Sequence, residues 1–288
     1  VTAADQTYNG SPLTPAVTVR NGTTLVPGTD YAVTYQQNVN VGTATVTVSA
    51  VGDGVVGTAT GTFQITPRTL TINDVKVNPA TYTGSVQLPT VTVASDGRTL
   101  VQGTDFDLEV LAGTGSTGGQ NKVNRGSYKN AVKVTGIGNY TGTVQNATSA
   151  NTTFVIDPAP LSAADVVAGN IPANATGAQR TPKVTATFNG VQLVNGPTGD
   201  YTVKTDCPTS GTLTPGAEYT ATLTAVSGTT KNFTGSTTVK FKVAAADAVP
   251  IDDGSVTVDP IDDQTYTGSA IEPPVTVMHG GDTLVEGT

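Results

Sequence analysis

The chain has 288 residues, 36% of them apolar and 12% charged, with a formal net charge of −8. That length allows two or three domains of the usual size of about 100–200 residues, and its charges form no Lys/Arg cluster of the kind that neutralises nucleic-acid phosphates. Trp is absent, Cys207 is the single cysteine and so forms no intrachain disulfide, and no run of about 18 apolar residues exists to cross a bilayer as a helix.

Thr and Val recur throughout, and both are stiff at χ1 and suit a pleated, half-buried surface, so a β-rich fold is expected. The chain opens at Val1 without an initiator Met or a signal sequence and stops at Thr288 inside a repeated phrase. It reads as a piece of a longer protein, so missing targeting signals carry no information on location.

The first predicted element is an aromatic turn, "TYNGSPLTPAVTV" from Thr7, which returns from Thr81, from Asn174 and from Thr265. Each copy keeps the same order: Gly10/Pro15/Val17, Gly84/Pro89/Val91, Gly177/Pro182/Val184 and Gly268/Pro273/Val275. A hairpin turn follows, at Asn21-Gly22, Asp96-Gly97, Asn189-Gly190 and Gly280-Gly281. Such pairs supply the positive φ that two-residue hairpins need.

After the turn comes a Leu-Val phrase: "LVPGTDY" at Leu25–Tyr31, "LVQGTDF" at Leu100–Phe106, "LVNGPTGDY" at Leu193–Tyr201 and "LVEGT" from Leu284. Leu is expected to face the core, Gly28 or Gly103 to let the chain turn, and Asp30 or Asp105 to bond nearby backbone N–H groups. Alternating strands come next, such as "TATVTVSAVG" from Thr43, and their period of two implies one buried face. Full copies close on a Gly turn and a last strand, "GTATGTFQITP" from Gly57, "GNYTGTVQ" from Gly138 leading to "TTFVIDP", and "KNFTGSTTVKFKV" from Lys231. Pro cannot extend a ladder, so the prolines at Pro67 and Pro158 mark boundaries.

Self-similarity at this spacing predicts domains at 1–67, 68–158 and 159–247, with an Asp-rich linker and the first half of a fourth copy in 248–288. The expected class is all-β, with small β-sandwiches of Ig-like type in tandem forming an elongated rod; a β-grasp-like sheet is the alternative.

These residues resemble the bacterial Ig-like and MBG-type β repeats of large cell-surface, adhesin-like proteins. The resemblance rests in the first copy on Tyr8/Gly10, Pro15/Val17, Leu25/Gly28/Asp30/Tyr31, Gly42/Thr43/Ala44 and Phe63/Ile65. In the second it rests on Tyr82/Gly84, Leu100/Gly103/Asp105/Phe106, Gly126/Ser127, Gly138/Asn139/Tyr140/Gly142 and Phe154/Ile156. The third copy departs, with Ala175 in the leading Tyr position and a longer "NGPTGDY" corner, so its entry strand is expected to pack differently. The resemblance implies an exported module, cell-wall anchored or secreted, that serves as a stalk or adhesive arm and has no catalytic residues of its own.

Each candidate for chemistry has a plainer reading. His279 lacks a second His, a nucleophile and an orienting acid, and reads as a turn residue. Cys207 sits in a Pro/Gly loop with only Lys204 near in sequence, which is too little to make a reactive thiolate. Asp252, Asp253, Asp259, Asp262 and Asp263 have the oxygen ligands calcium prefers but not the spacing of an EF-hand, and read as a solvated linker. No metal or other cofactor is expected. Lys76, Asn151 and Glu109 are the candidates for a Lys–Asn isopeptide bond in the second copy. Tyr8, Tyr82 and Tyr266 recur at one strand position and read as residues packed under their own fold rather than as a glycan-stacking ladder.

The insertion at 112–130 carries Lys122, Arg125 and Lys129 in an otherwise acidic chain. Long loops often carry function. The sequence therefore predicts a non-enzymatic stalk or spacer at the bacterial cell surface, whose partners are neighbouring repeats of the same chain. The alternative is a binding module that meets host glycan or protein through the 112–130 loop or its strand edges.

Overall fold

Thr and Val alternate along Gly42–Ala50, and in the computed structural model this strand turns Ala44, Val46 and Val48 into the core while Thr43, Thr45 and Thr47 lie on the more open side. The structure describes residues 1–21, 23–112, 122–245, 248, 254–266, 268 and 270–284. The protein is all-β, built of many small sheets. Among the described residues helix is confined to short 3₁₀ turns, the longest being Gly177–Arg180, and none could cover a sheet face as the helix of a β-grasp does.

The chain forms two compact units. One comprises Val1–Ala164, Thr187–Tyr201 and Thr224–Ser236; the other comprises Asp165–Ala186, Thr202–Leu223 and Thr237–Thr288.

In the first unit, the first sequence copy is a four-stranded sheet in the order Gln6–Thr7, Thr58–Thr66, Gly42–Ala50, Tyr31–Gln36. The three long strands form an antiparallel meander, and Gln6–Thr7 adds to its edge in parallel, with Gln6 opposite Ile65. The second copy repeats that closure with Ala80 opposite Ile156. Its other strands pair Thr90–Ser95 with Val75–Asn78, and Phe106–Val110 with Val132–Gly136 and then Thr143–Val144. One apolar core joins Tyr8, Phe63 and Ile65 of the first copy to Leu70, Val93 and Tyr140 of the second. A second core gathers Val77, Tyr128, Val132, Phe154 and Ile156.

In the second unit, Ile171–Pro172 pairs in parallel with Ser236–Ala244, Ile171 opposite Val243, in the same closure again. Within 248–288 the stretch Val256–Val258, read as part of the linker, is a strand that pairs with Val277–His279, which in turn pairs with Asp282–Leu284 of the fourth copy.

The hairpin turns follow the expected chemistry in three copies. Asp96-Gly97 has φ of 50° and 74°, Asn189-Gly190 has 48° and 79°, and Gly280-Gly281 has 60° and 96°, the doubled positive φ of the turn that matches strand twist. The first copy differs: Asn21 faces Thr23 across one position, and Gly22 lies outside the described residues.

The Leu-Val phrase is a corner. Asp30 accepts the Val26 N–H at 2.6 Å, Asp105 the Val101 N–H at 2.9 Å, and Asp200 the Val194 N–H at 2.8 Å. The main chain closes the same loop, Gly28 N–H donating to Tyr31 O and Gly103 N–H to Phe106 O, both at 2.8 Å. The carbonyls of Asp30, Asp105 and Asp200 then accept the N–H of Val51, Ile137 and Val226, which ties each corner to the strand beyond. Leu100 and Leu193 are buried and Leu25 half-buried, as expected, but Leu284 is 44% exposed.

Candidate functional site

Both linkers between successive copies in the first unit are strands. Arg68–Thr69 pairs in parallel with Tyr140–Thr141, the Arg68 N–H donating to Asn139 O at 3.0 Å and the Leu70 N–H to Thr141 O at 2.8 Å. Ala159–Pro160 pairs in parallel with Phe233–Thr234, the Ala159 N–H donating to Asn232 O at 2.9 Å. Each linker therefore hydrogen-bonds the copy it leads into, at its Asn-aromatic-Thr-Gly turn. The leucine that follows is buried in both, Leu70 at 4% and Leu161 at 0% exposure.

The asparagine of that turn reaches back across the junction. Asn139 accepts the Val41 N–H at 2.9 Å through Oδ1 and donates through Nδ2 to Asn40 Oδ1 at 3.1 Å. Asn232 accepts the Arg125 N–H at 2.8 Å through Oδ1 and donates through Nδ2 to Asn124 Oδ1 at 3.0 Å. The job needs an acceptor and a donor on one short side chain, which Asn has and ionised Asp does not.

The aromatic after the asparagine completes the contact. Tyr140 meets Tyr8, and Phe233 meets Tyr82, each edge to face with ring centroids 5.4 Å apart and planes at 82°. Phe188 stacks on Tyr82 at 5.9 Å and 14° and so encloses the second pair further. Burial first, and the charge of Asp200 second, raise the Tyr82 phenol, with a hydrogen bond to Asn232 partly offsetting them. Hairpins of the later copy cover the turn of the earlier one. The Arg98 guanidinium lies over Gly10, where any Cβ would fall 1.3 Å from Nη1, and Asn189 donates to Thr83 O at 2.9 Å. Arg68 is pinned to this hairpin by Ser95 Oγ at 2.7 Å and Asp96 at 2.5 Å.

Against these contacts the expected positions sort clearly. Tyr8 is buried and Tyr82 half-buried, but each packs on the aromatic of the next copy rather than solely under its own, and Tyr266 is 86% exposed. Lys122 is 1% exposed and donates to Leu111 O at 2.7 Å, with burial pushing its ammonium pKa down. Arg125 donates to Gly228 O at 2.6 Å, and Lys129 is exposed. The rest of the 112–130 insertion, 113–121, lies outside the described residues.

The isopeptide candidates do not assemble. Lys76 is exposed, Asn151 donates to Ile72 O at 2.8 Å, and Glu109 pairs with Lys133 at 3.1 Å. His279 is the last strand residue before the Gly280-Gly281 turn, opposite Asp282. Cys207 is a buried free thiol, its pKa raised by burial, with Arg180 opposing and Asp206 adding a lesser rise. Asp252 and Asp253 lie outside the described residues, and among the described ones no group of His, Cys, Asp and Glu is placed to hold a metal. No helix among them is long and apolar enough to cross a membrane.

Sequence reasoning gave no junction role to Asn139, which it noted only within the repeated pattern, or to Asn232. The available signal was the asparagine-aromatic pair shared by "GNYTG" and "KNFTG" and absent from "GDGVVG" of the first copy. It also missed Arg180, in the second unit, which is 7% exposed and donates to the carbonyls of Ala175, Pro208, Ser210 and Gly211. This fork ties the third copy's entry at Ala175, which is 1% exposed, to the loop from Pro208 to Gly211.

No family model matches the chain, and no curated protein matches it significantly.

Proposed function

We propose that the chain is a non-enzymatic array of tandem Ig-like β modules, a stalk or spacer in a bacterial surface or secreted protein of adhesin type. The observation that carries this reading is the duplicated junction: linker strand, asparagine clamp and edge-to-face aromatic pair recur with the same centroid distance of 5.4 Å. A linker that only connects needs none of these parts; one that transmits orientation needs several independent contacts. The neighbouring modules are then the principal partners, each contributing half of every junction. Direct binding of host glycan or protein through the 112–130 loop is the other reading. The burial of Lys122 and the bonding of Arg125 favour the spacer.

The test is a distance distribution between spin labels at Thr60 and Asp107, both exposed, measured by pulsed electron resonance. The native chain should give one narrow peak, and the Asn139→Ala/Tyr140→Ala double variant a broad one. A broad distribution in the native chain would sink the spacer.

A further inference from the structure

The first copy holds an open cavity of about 490 Å³, lined by Val19, Leu25, Tyr31, Val48 and Ala59 and rimmed by Asp53–Gly57. Register identifies the matching residues of the second copy. Val19 and Leu25 share a hydrogen bond, as Val93 and Leu100 do, and Val48 faces Ala59 as Val134 faces Val144. In the second copy these positions are closed: Val93, Val134 and Val144 are at most 4% exposed and pack in one core with Leu70 from the preceding linker. In the first copy Val19 and Leu25 are only half-buried and Ala59 is exposed.

The rim matches as well. Ala50 N–H donates to Gly57 O as Gly136 N–H does to Gly142 O, both at 2.9 Å, which makes Val56 the counterpart of Thr141 and Gly54 the counterpart of Asn139. Thr141 and Asn139 are the residues whose carbonyls receive the linker strand, and Val56 is 95% exposed.

We infer that this cavity is a socket for a leucine-bearing linker strand from another module of the same kind. The incoming strand adds in parallel beside Gly54–Val56, donating two backbone N–H groups to the carbonyls of Gly54 and Val56, and its leucine fills the cavity as Leu70 does in the second copy. Strand addition of this type takes affinity from main-chain bonds and specificity from the side-chain pocket. Gly54 and Val55 stand where the second copy has Asn139 and Tyr140, so the socket holds its partner by strand pairing and the leucine without the asparagine clamp. The partner chemistry is therefore Thr-Leu or Pro-Leu at the spacing of Arg68–Leu70 and Ala159–Leu161.

This inference rests on the tandem-module reading, and its test is independent of the spin-label distances. A peptide of the sequence Ile65–Asn73 is titrated into the full chain by calorimetry, alongside the same peptide carrying Leu70→Asp. Saturable one-to-one binding is expected, weakened about 10- to 100-fold by the Asp, the scale of losing one buried leucine. Ala59→Leu, which fills the socket from an exposed position, should weaken it similarly while the chain's circular dichroism is unchanged. Because tethering raises effective concentration to about the millimolar range, the second arm fuses the segment Ile65–Asp74 ahead of Val1. The melting temperature should rise with the native segment and not with its Leu70→Asp form. Equal behaviour of the Leu and Asp forms in both arms overturns the proposal, as does peptide binding that survives Ala59→Leu. A narrow spin-label distance with no peptide effect would leave the spacer standing and remove only the socket.

Discussion

Replacing Asn139 by alanine tests the clamp with the least disturbance to either core. The side chain makes two hydrogen bonds across the junction, at 2.9 Å to the Val41 N–H and 3.1 Å to Asn40 Oδ1. Both lie at the exposed rim, so water can replace the lost partner and no buried group is orphaned. Each bond then contributes about 0.5–1 kcal/mol net, and Asn139→Ala should cost about 1–2 kcal/mol in all. For a cooperative unit of this size that lowers the melting temperature by roughly 2–8 °C. Scanning calorimetry of the full chain measures it, and a cycle with Asn40→Ala isolates the amide–amide bond, whose coupling should be about 0.5–1 kcal/mol. Asn232→Ala should cost at least as much, since its bond to the Arg125 N–H is shorter and partly buried. Strict additivity of Asn40→Ala and Asn139→Ala, or a loss within measurement error for both asparagines, would refute the clamp.

Asp30→Ala removes the bond that closes the first corner and should cost about 1 kcal/mol in chemical denaturation, while Asp30→Asn, which keeps an acceptor, should recover part of it. Lys122→Ala should cost about 2–4 kcal/mol, because it empties a buried site and orphans the Leu111 carbonyl; a surface-like loss below about 0.5 kcal/mol would contradict its burial. Burial raises the phenol pKa of Tyr35, Tyr82, Tyr128, Tyr140 and Tyr201 above 10.0, so the folded chain holds more protons than the unfolded one above that pH. Their stabilisation is complete below about pH 10 and is lost as pH rises through the folded values, so unfolding and tyrosinate absorbance should rise together there. Lys122, whose pKa is lowered by burial, has the opposite sign and adds a gain in stability as pH rises toward 10.5. Arg180→Lys keeps the charge but not the fork, and should cost about 2–3 kcal/mol and quicken labelling of the buried Cys207 thiol. Unchanged labelling would mean the Arg180 bonds do not hold that loop.

What could be read from the sequence divides by the range of the interaction. Alternation, turn pairs and the Leu-Val phrase are local, and their outcomes at Gly42–Ala50, at Asp96-Gly97 and at Asp105 follow from backbone sterics and one short side-chain bond. The parallel closure of Gln6–Thr7 on Thr58–Thr66 is non-local; no period in the sequence marks a two-residue edge strand. The junction was hidden for another reason. Tyr8 looked like a core residue and is one, and Tyr82 is half-buried, but what covers each includes the next copy, and a hydrophobic pattern records that a residue is buried, not what buries it. Asn139 and Asn232 were hidden by their place in Gly-rich turns, where asparagine already has a sufficient local reason to occur.

The departures between copies carry the remaining information. A residue needed by each module alone should recur in every copy, as the corner aspartate does at Asp30, Asp105 and Asp200. A residue needed only by the asparagine clamp should recur only where the clamp is made, as asparagine with an aromatic does at 139–140 and 232–233, whereas Gly54-Val55 stand at that position in the first copy. The leading aromatic obeys the same logic from the other side, present at Tyr8 and Tyr82 where a later ring meets it and replaced by Ala175 where Arg180 donates to the Ala175 carbonyl. Introducing Tyr at Ala175, which is 1% exposed, should therefore disrupt the third copy's entry rather than restore a contact, because that space is already filled.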